Sequence, residues 1–106
     1  MNLTERIKMI TLLGAEYPVA YSNSAKLKAK EKIEKDGLNE KDFSLEDAAS
    51  FLALLINDGI RLQNFVKKEN RPFVDEEEIE MLVDFTPEEE LTEVLKEITE
   101  FVKTMK

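Results

Sequence analysis

Apolar residues recur every three or four positions through most of this chain, and the pattern predicts four helices. The predicted helices cover residues 23–36, 45–69, 76–84 and 87–104. In the helix at 45–69 the apolar residues occupy about half of the circumference, whereas a surface helix needs an arc of only about 100°. We therefore expect neighbouring elements to cover this helix on more than one side. Its opposite side carries a polar strip formed by Glu46, Ser50, Asn57, Arg61, Asn64 and Lys68.

The first part of the chain follows a different pattern, which predicts a short β-hairpin over residues 7–21. A mostly apolar run is interrupted at Gly14, and apolar and small residues then alternate as far as Tyr21. Pro18 has no amide hydrogen to donate, so it suits the edge of a small sheet. A short N-terminal helix that starts after Thr4 is the alternative interpretation.

Residues that favour helix ends punctuate the chain between these elements. Candidate N-caps are Ser22 or Ser24 for the first helix, Ser44 for the second, Asp75 for the third, and Thr86 followed by Pro87 for the fourth. Gly37 then suits the end of the first helix, because glycine readily adopts the left-handed conformation found there. The breaks between helices are therefore as clearly marked as the helices themselves.

One glycine lies inside the longest predicted helix. Gly59 costs about 1 kcal/mol relative to alanine in such a position. We expect that another chain or helix approaches closely at Gly59, and a kink is the alternative. Small residues also recur on the first helix at Ala25 and Ala29, followed by Ile33, which favours close packing of that helix.

Length and composition are consistent with one folded domain. The chain has 106 residues and a mass of 12.2 kDa, enough for a single core. We predict a mainly α domain over residues 1–106, with about four helices and a short N-terminal β-hairpin. No apolar run approaches the roughly 20 residues of a membrane helix, and the N-terminus lacks a signal-peptide pattern. A cytoplasmic location without membrane association is therefore expected.

The charges are unevenly distributed along the chain. The net charge is −8 overall. Residues 1–35 hold seven basic and four acidic residues, and residues 36–106 hold eight basic and nineteen acidic residues. The net charge is thus +3 in the first segment and −11 in the second. Phosphate backbones would be repelled by the larger, acidic part, so nucleic-acid binding is not expected.

The residue types exclude most catalytic chemistry. There is no cysteine and no histidine, which rules out disulfides, the usual zinc sites and nucleophiles activated by histidine. Phosphate-binding loops of the GxxxxGK[ST] or GxGxxG type are also absent. Carboxylate pairs such as Glu88 with Glu93 remain, but helix ends and solvated faces account for them. We predict no enzymatic activity, no catalytic residue, no metal and no cofactor.

Three segments carry a resemblance to a known family: LGAEYPVAYSNSAKLKAKEKI, SLEDAASFLALLINDGIRLQNF and RPFVDEEEIEMLVDFTPEEELTEVLKEI. In their order and spacing, over roughly residues 13–98, the chain resembles the tail assembly chaperones of long-tailed bacteriophages and prophages of Gram-positive bacteria. The matching positions are Gly14, Glu16, Tyr17, Pro18, Gly37, Leu54, Leu55, Ile56, Asn57, Gly59, Pro72, residues 75–78, Ile79 and Leu82.

The resemblance implies a small non-enzymatic protein in the cytoplasm of the bacterial host. Such a protein binds the tape-measure protein, keeps its apolar helices in solution, helps to recruit tail-tube subunits and is absent from the finished particle. The family offers no catalytic residues to carry over.

From the helical pattern we predict a protein-binding face on the longest helix, formed by Phe51, Leu54, Leu55, Gly59, Leu62 and Phe65. Ordinary core packing is the alternative for these residues, as is a seam between copies in a homo-oligomer.

Two other functions are compatible with the sequence. One is a small acidic regulatory helical module, of phage or bacterial origin, that binds another protein. The other is a carboxylate-based enzyme, which would need two buried carboxylates facing one pocket.

Overall fold

A computed structural model describes residues 3–36 and 45–104, with side chains described at residues 3–31 and 47–104. The elements are a 3-10 turn Leu3–Arg6, strands β1 Lys8–Leu12 and β2 Ala15–Val19, and helices α1 Asn23–Asp36, α2 Leu45–Lys67, α3 Glu76–Phe85 and α4 Glu88–Thr104. The predicted class, mainly α with an N-terminal hairpin, is confirmed. The predictions for Ser44, Gly37 and the side chain of Ile33 lie outside what the structure describes.

The hairpin joins β1 and β2 through a two-residue turn. Leu13 and Gly14 form this turn with φ values of 49° and 81°, the left-handed conformation at both positions that matches strand twist in tight hairpins. One face of the hairpin carries the buried side chains of Ile10, Leu12 and Val19. A two-stranded sheet is only marginally stable alone, so its packing on α2 and α4 stabilises it. The alternative interpretation is a short N-terminal helix that starts after Thr4. In the described residues it corresponds only to the single 3-10 turn Leu3–Arg6.

Helix α2 is the central element of the molecule. Its 23 residues span about 35 Å at about 1.5 Å per residue, close to the longest dimension of the fold, 38 Å. The 3-10 turn, β2, α1 and α3 all contact it, and Leu52, Leu55, Ile56 and Ile60 are fully buried. The expected cover on more than one side is confirmed. The helix ends two residues before the predicted end, where Lys68 adopts a left-handed φ of 56°.

Gly59 lies where the end of β2 crosses α2. A Cβ atom added to Gly59 would lie 2.7 Å from the Cα of Val19 and closer still to the carbonyl group of Pro18. Next to this contact, the N–H of Ala20 donates to the carbonyl of Leu55 at 3.1 Å. The predicted close approach at Gly59 is confirmed, but the approaching element is the hairpin and not a helix or another chain.

The polar strip of α2 holds the segment at 68–75, which returns along the helix. Asn57 donates from Nδ2 to the carbonyl of Val74 at 3.0 Å and accepts from the N–H of Val74 at 2.8 Å. Asn64 makes the same pair of bonds with Arg71, at 3.0 and 3.1 Å. Part of the polar strip is therefore an internal contact between side-chain amides and the backbone.

The predicted N-caps behave differently from one another. Ser22 caps α1, because its Oγ accepts from the N–H of Ala25 at 3.1 Å. Asp75 occupies the N-cap position of α3, but its side chain makes no capping hydrogen bond. Only its carbonyl accepts from the N–H of Ile79, at 3.1 Å. The prediction of a side-chain cap at Asp75 is therefore wrong.

Thr86 ends α3 and does not cap α4. Its hydroxyl donates to the carbonyl of Leu82, one turn back along α3, and its N–H donates to the carbonyl of Val83. The first bond of α4 instead runs from the N–H of Leu91 to the carbonyl of Pro87, at 2.9 Å. Because the two helices are separated by only two residues, the buried Thr86 satisfies the carbonyls of the helix that precedes it.

Candidate protein-binding groove

An open groove lies along the C-terminal half of α2. The 3-10 turn, the link from β2 to α1 and one side of α2 surround a volume of about 370 Å³. The lining residues are Leu3, Arg6, Ala20, Tyr21, Ser22, Asp58, Arg61, Leu62 and Phe65. We call this the α2 groove.

The apolar part of the α2 groove ends in an exposed aromatic ring. Phe65 follows Gly59 by six residues, so it lies about 9 Å along the helix from the place where the hairpin covers α2. Its side chain is 74% exposed, and Leu62, one turn before it, is half-buried. Phenylalanine is usually buried in a folded monomer, and an exposed apolar surface bordered by polar groups is typical of a protein-binding site.

A buried carboxylate organises the polar part of the groove. Asp58 accepts from the N–H of Ser22 at 2.7 Å and from Nη2 of Arg61 at 2.8 Å. These bonds join the start of α1 to α2 and hold a mostly exposed guanidinium group at the groove. Arg6, from the 3-10 turn, also lines the groove.

Tyr21 connects this groove to a neighbouring aromatic side chain. Its ring meets that of Phe51 edge-on, with centroids 6.4 Å apart, and the ammonium group of Lys26 lies 5.5 Å from the centre of the Tyr21 ring. Burial raises the pKa of the Tyr21 hydroxyl above its ordinary value. Tyr21 therefore borders the groove as a neutral phenol at physiological pH.

A second, smaller groove lies towards the N-terminal half of α2. It has a volume of about 300 Å³ and is lined by Lys28, Ala29, Ser50, Phe51, Ala53, Leu54, Asn57 and Glu76. Phe51 and Leu54 are half-buried here. The described residues contain no cluster of three carboxylates placed to hold a metal ion.

The structure divides the six predicted protein-binding residues among three places. Leu62 and Phe65 line the α2 groove, and Phe51 and Leu54 line the second groove. Leu55 is fully buried and Gly59 lies beneath the hairpin, so neither belongs to an exposed face. The helical pattern could not separate these positions, because it does not show which part of a wide apolar arc the hairpin covers.

The helical pattern also missed groove residues from outside α2. Leu3 and Arg6 reach the site from the 3-10 turn, more than 50 positions before Phe65 in the sequence. A single turn has no hydrophobic period that would reveal them. The pair formed by Asp58 and Arg61 did have a signal, since opposite charges three residues apart meet on a helix.

Comparison with known proteins gives no relative for this fold or for this groove. No family model, no curated protein and no solved structure matches the chain. None of the helices in the described part of the chain is long and apolar enough to cross a membrane.

Proposed function

We propose that this chain is a tail assembly chaperone of a long-tailed bacteriophage or prophage. In this proposal it acts in the cytoplasm of the bacterial host, binds the tape-measure protein, assists tail-tube assembly and is absent from the mature particle. The order of its three family-like segments supports this function. The α2 groove supplies a place where an apolar helix of the partner would bind.

The observation that carries the proposal is the exposure of Phe65 beside an apolar groove. Amphipathic helices commonly bind proteins by inserting apolar residues from one face into such a groove. Leu62 and Phe65 offer apolar contacts to such a helix, and the mostly exposed guanidinium group of Arg61 provides a polar contact beside them. The high net charge of the chain would keep a complex with an apolar partner dispersed.

Co-expression with the tape-measure protein of the same tail gene cluster tests the proposal. The soluble fraction of the tape-measure protein should rise several-fold with the wild-type chain and fall back with Phe65→Ser. Phe73→Ser is a matched control, because Phe73 is 61% exposed and lines neither of the two grooves. It should act like the wild type.

Two results would count against this function. The wild-type chain could leave the tape-measure protein insoluble, or Phe65→Ser could work as well as the wild type. Gene order is a cheaper check, since the gene should lie between the genes for the major tail protein and the tape-measure protein.

The acidic surface of the last two helices favours a second candidate function. Three consecutive glutamates occupy the first turn of α3, at residues 76–78, and of α4, at residues 88–90. Such a surface would suit a regulatory module that binds a host or phage protein and competes with its nucleic acid. A pull-down that returns a polymerase, repressor or nuclease and no tape-measure protein would favour this second function.

A further inference from the structure

The segment at 68–75 lies on α2 with little burial of apolar surface. All of its residues are described, and none of them is buried. Arg71 and Val74 are half-buried, and Phe73 is 61% exposed. The side chain of Val74 is the contact of the segment with the hydrophobic core. Because burial of apolar surface is the main favourable term in folding, the segment gains little of it.

Four hydrogen bonds hold the segment on α2, and two side chains make all four. Asn64 binds both the N–H and the carbonyl of Arg71, and Asn57 does the same with Val74. An asparagine that moves away therefore breaks two bonds at once. The net contribution of a hydrogen bond is modest where water can replace the partner, and the other residues of the segment are exposed.

The two bound residues depend on each other. The extended chain from Arg71 to Val74 spans about 10 Å, and the two asparagines are about 10.5 Å apart along α2. Since the chain between them has no slack, each bound residue keeps the other close to its asparagine. Pro72 lies between them and stiffens the chain, because its ring fixes φ. Release of one bound residue should therefore release the other.

The helices on either side of the segment are held by other contacts. Leu55 and Ile60 of α2 are fully buried, and so are Ile79 and Val83 of α3. These four side chains belong to one core cluster. An opening of the segment between the two helices would leave this cluster packed.

We propose that the segment at 68–75 is a strap that opens from α2 as one unit while the helices and the hairpin stay folded. In folded proteins the parts with few buried apolar contacts open at the lowest free energy. The strap has this character, and the elements that it joins do not.

Opening of the strap changes two surfaces together. It uncovers the side-chain amides of Asn57 and Asn64 on α2. It also withdraws Arg71 from the hairpin, where the guanidinium group contacts the carbonyl of Glu16 and the ring of Tyr17. Neither the strap nor the two asparagines line the α2 groove, so this inference does not depend on the proposed function.

Hydrogen exchange of single backbone amides in the native protein tests the strap. The N–H groups of Arg71 and Val74 both donate to asparagine Oδ1 atoms, so they should exchange only when the strap is open. The N–H of Ala20 donates to the carbonyl of Leu55 and reports the rest of the fold. Exchange followed by NMR should give one opening constant for Arg71 and Val74, about 100-fold or more above that of Ala20.

Low concentrations of urea separate a local opening from global unfolding. Urea promotes an opening in proportion to the surface that the opening exposes. Exchange at Arg71 and Val74 should therefore hardly change, whereas exchange at Ala20 should become faster.

Asn64→Asp tests whether the strap opens as one unit. The carboxylate cannot donate to the carbonyl of Arg71, so the opening constant should rise roughly tenfold or more. The rise should be equal at Arg71 and Val74, although the bonds between Val74 and Asn57 are unchanged. Asn70→Asp is the matched control, because it adds the same charge at an exposed residue of the strap. It should change both constants by less than about twofold.

Four results would overturn the strap. Exchange of both amides at the rates of an unstructured chain would show that α2 does not hold the segment. Opening constants equal to that of Ala20 would show that the segment opens only on global unfolding. An effect of Asn64→Asp confined to Arg71 would mean two independent contacts, and an equal effect of Asn70→Asp would assign the change to charge. The first two results come from the wild type, so they decide the inference even if Asn64→Asp does not fold.

Discussion

Helix α2 holds two other segments of the chain by two different means. On one side the hairpin packs through buried apolar side chains and reaches the backbone of α2 at Gly59. On another side the segment at 68–75 is held by the side-chain amides of Asn57 and Asn64. The first contact depends on shape and burial, and the second depends on paired hydrogen bonds.

The difference shows two ways of fixing the position of a segment on a helix. Burial of apolar surface has no direction, so the hairpin is positioned by the notch that the missing Cβ of Gly59 leaves. Asn57 and Asn64 instead position the segment at 68–75, which we call the return segment, because their spacing along the helix matches the spacing of the residues that they bind. Asn57 and Asn64 are about 10.5 Å apart along the helix, and three residues of extended chain, from Arg71 to Val74, cover about 10 Å.

Arg71 joins the two contacts. Its Nη2 donates to the carbonyl of Glu16 at 2.8 Å, and its guanidinium carbon lies 5.5 Å from the centre of the Tyr17 ring. Burial is the main cause of a raised pKa for the Tyr17 hydroxyl, and the nearby carboxylate of Glu78 raises it further while Arg71 acts against the shift. The return segment therefore also contacts the hairpin, through Arg71.

Gly59→Ala should break the shape-dependent contact. At an ordinary interior position of a helix the change stabilises by about 1 kcal/mol. Here the added methyl group would meet backbone atoms of Pro18 and Val19, which cannot rotate away. We expect a loss of about 3 kcal/mol in the free energy of unfolding, in the range for overpacked cores, measured by urea denaturation.

Gly14→Ala is the matched control for this prediction. A Cβ atom at Gly14 would meet nothing within 4 Å, and only its φ of 81° opposes the change. It should cost about 1 to 2 kcal/mol. Equal losses in the two variants would show that the notch at Gly59 does not exist.

The sequence was sufficient to predict the apolar side of this comparison. The half-apolar circumference of α2 predicts several neighbours, and a glycine inside a helix predicts close approach. The turn at Gly14 and the alternation through Tyr17 and Val19 predict the hairpin. Each of these signals is local, because it depends on the spacing of residues within one element.

The polar side could not be predicted in the same way. Asn57 and Asn64 look like solvated positions until the path of residues 68–75 is known. The α2 groove has the same difficulty, since Arg6 joins it through the fold and not through any spacing. At Thr86 two adjacent helices compete for one hydroxyl group, and helix-start patterns consider only the helix that follows.

Asn57→Asp should break the contact that depends on hydrogen bonds. The two side chains have nearly the same shape, and the carboxylate can still accept from the N–H of Val74. It cannot donate to the carbonyl of Val74, so a partly buried acceptor loses its partner. We expect a loss of about 2 kcal/mol in the free energy of unfolding and faster proteolysis within residues 68–75.

Ser50→Asp is the control for the added charge. Ser50 lines the same small groove as Asn57 and Glu76, and the change adds one carboxylate without removing a donor to Val74. Its effect should stay within about 0.5 kcal/mol, as for ordinary surface changes. If the two aspartates cost the same, charge alone would explain the loss and the amide pair would contribute little.

Leu13→Asn should have the smallest effect and should strengthen the hairpin without touching the return segment. Leu13 has a φ of 49°, which leucine adopts at a cost of roughly 1 to 2 kcal/mol and asparagine adopts more readily. Asn-Gly is also the preferred pair for a two-residue hairpin turn. We expect the free energy of unfolding to rise by about 0.5 to 1 kcal/mol.

The same change at exposed Leu27, inside α1, should lower stability by about 0.5 kcal/mol, because asparagine is the poorer helix former. Opposite signs at the two exposed leucines would place the gain in the turn conformation, whereas a loss at Leu13 would mean that its side chain stabilises the hairpin by contacts.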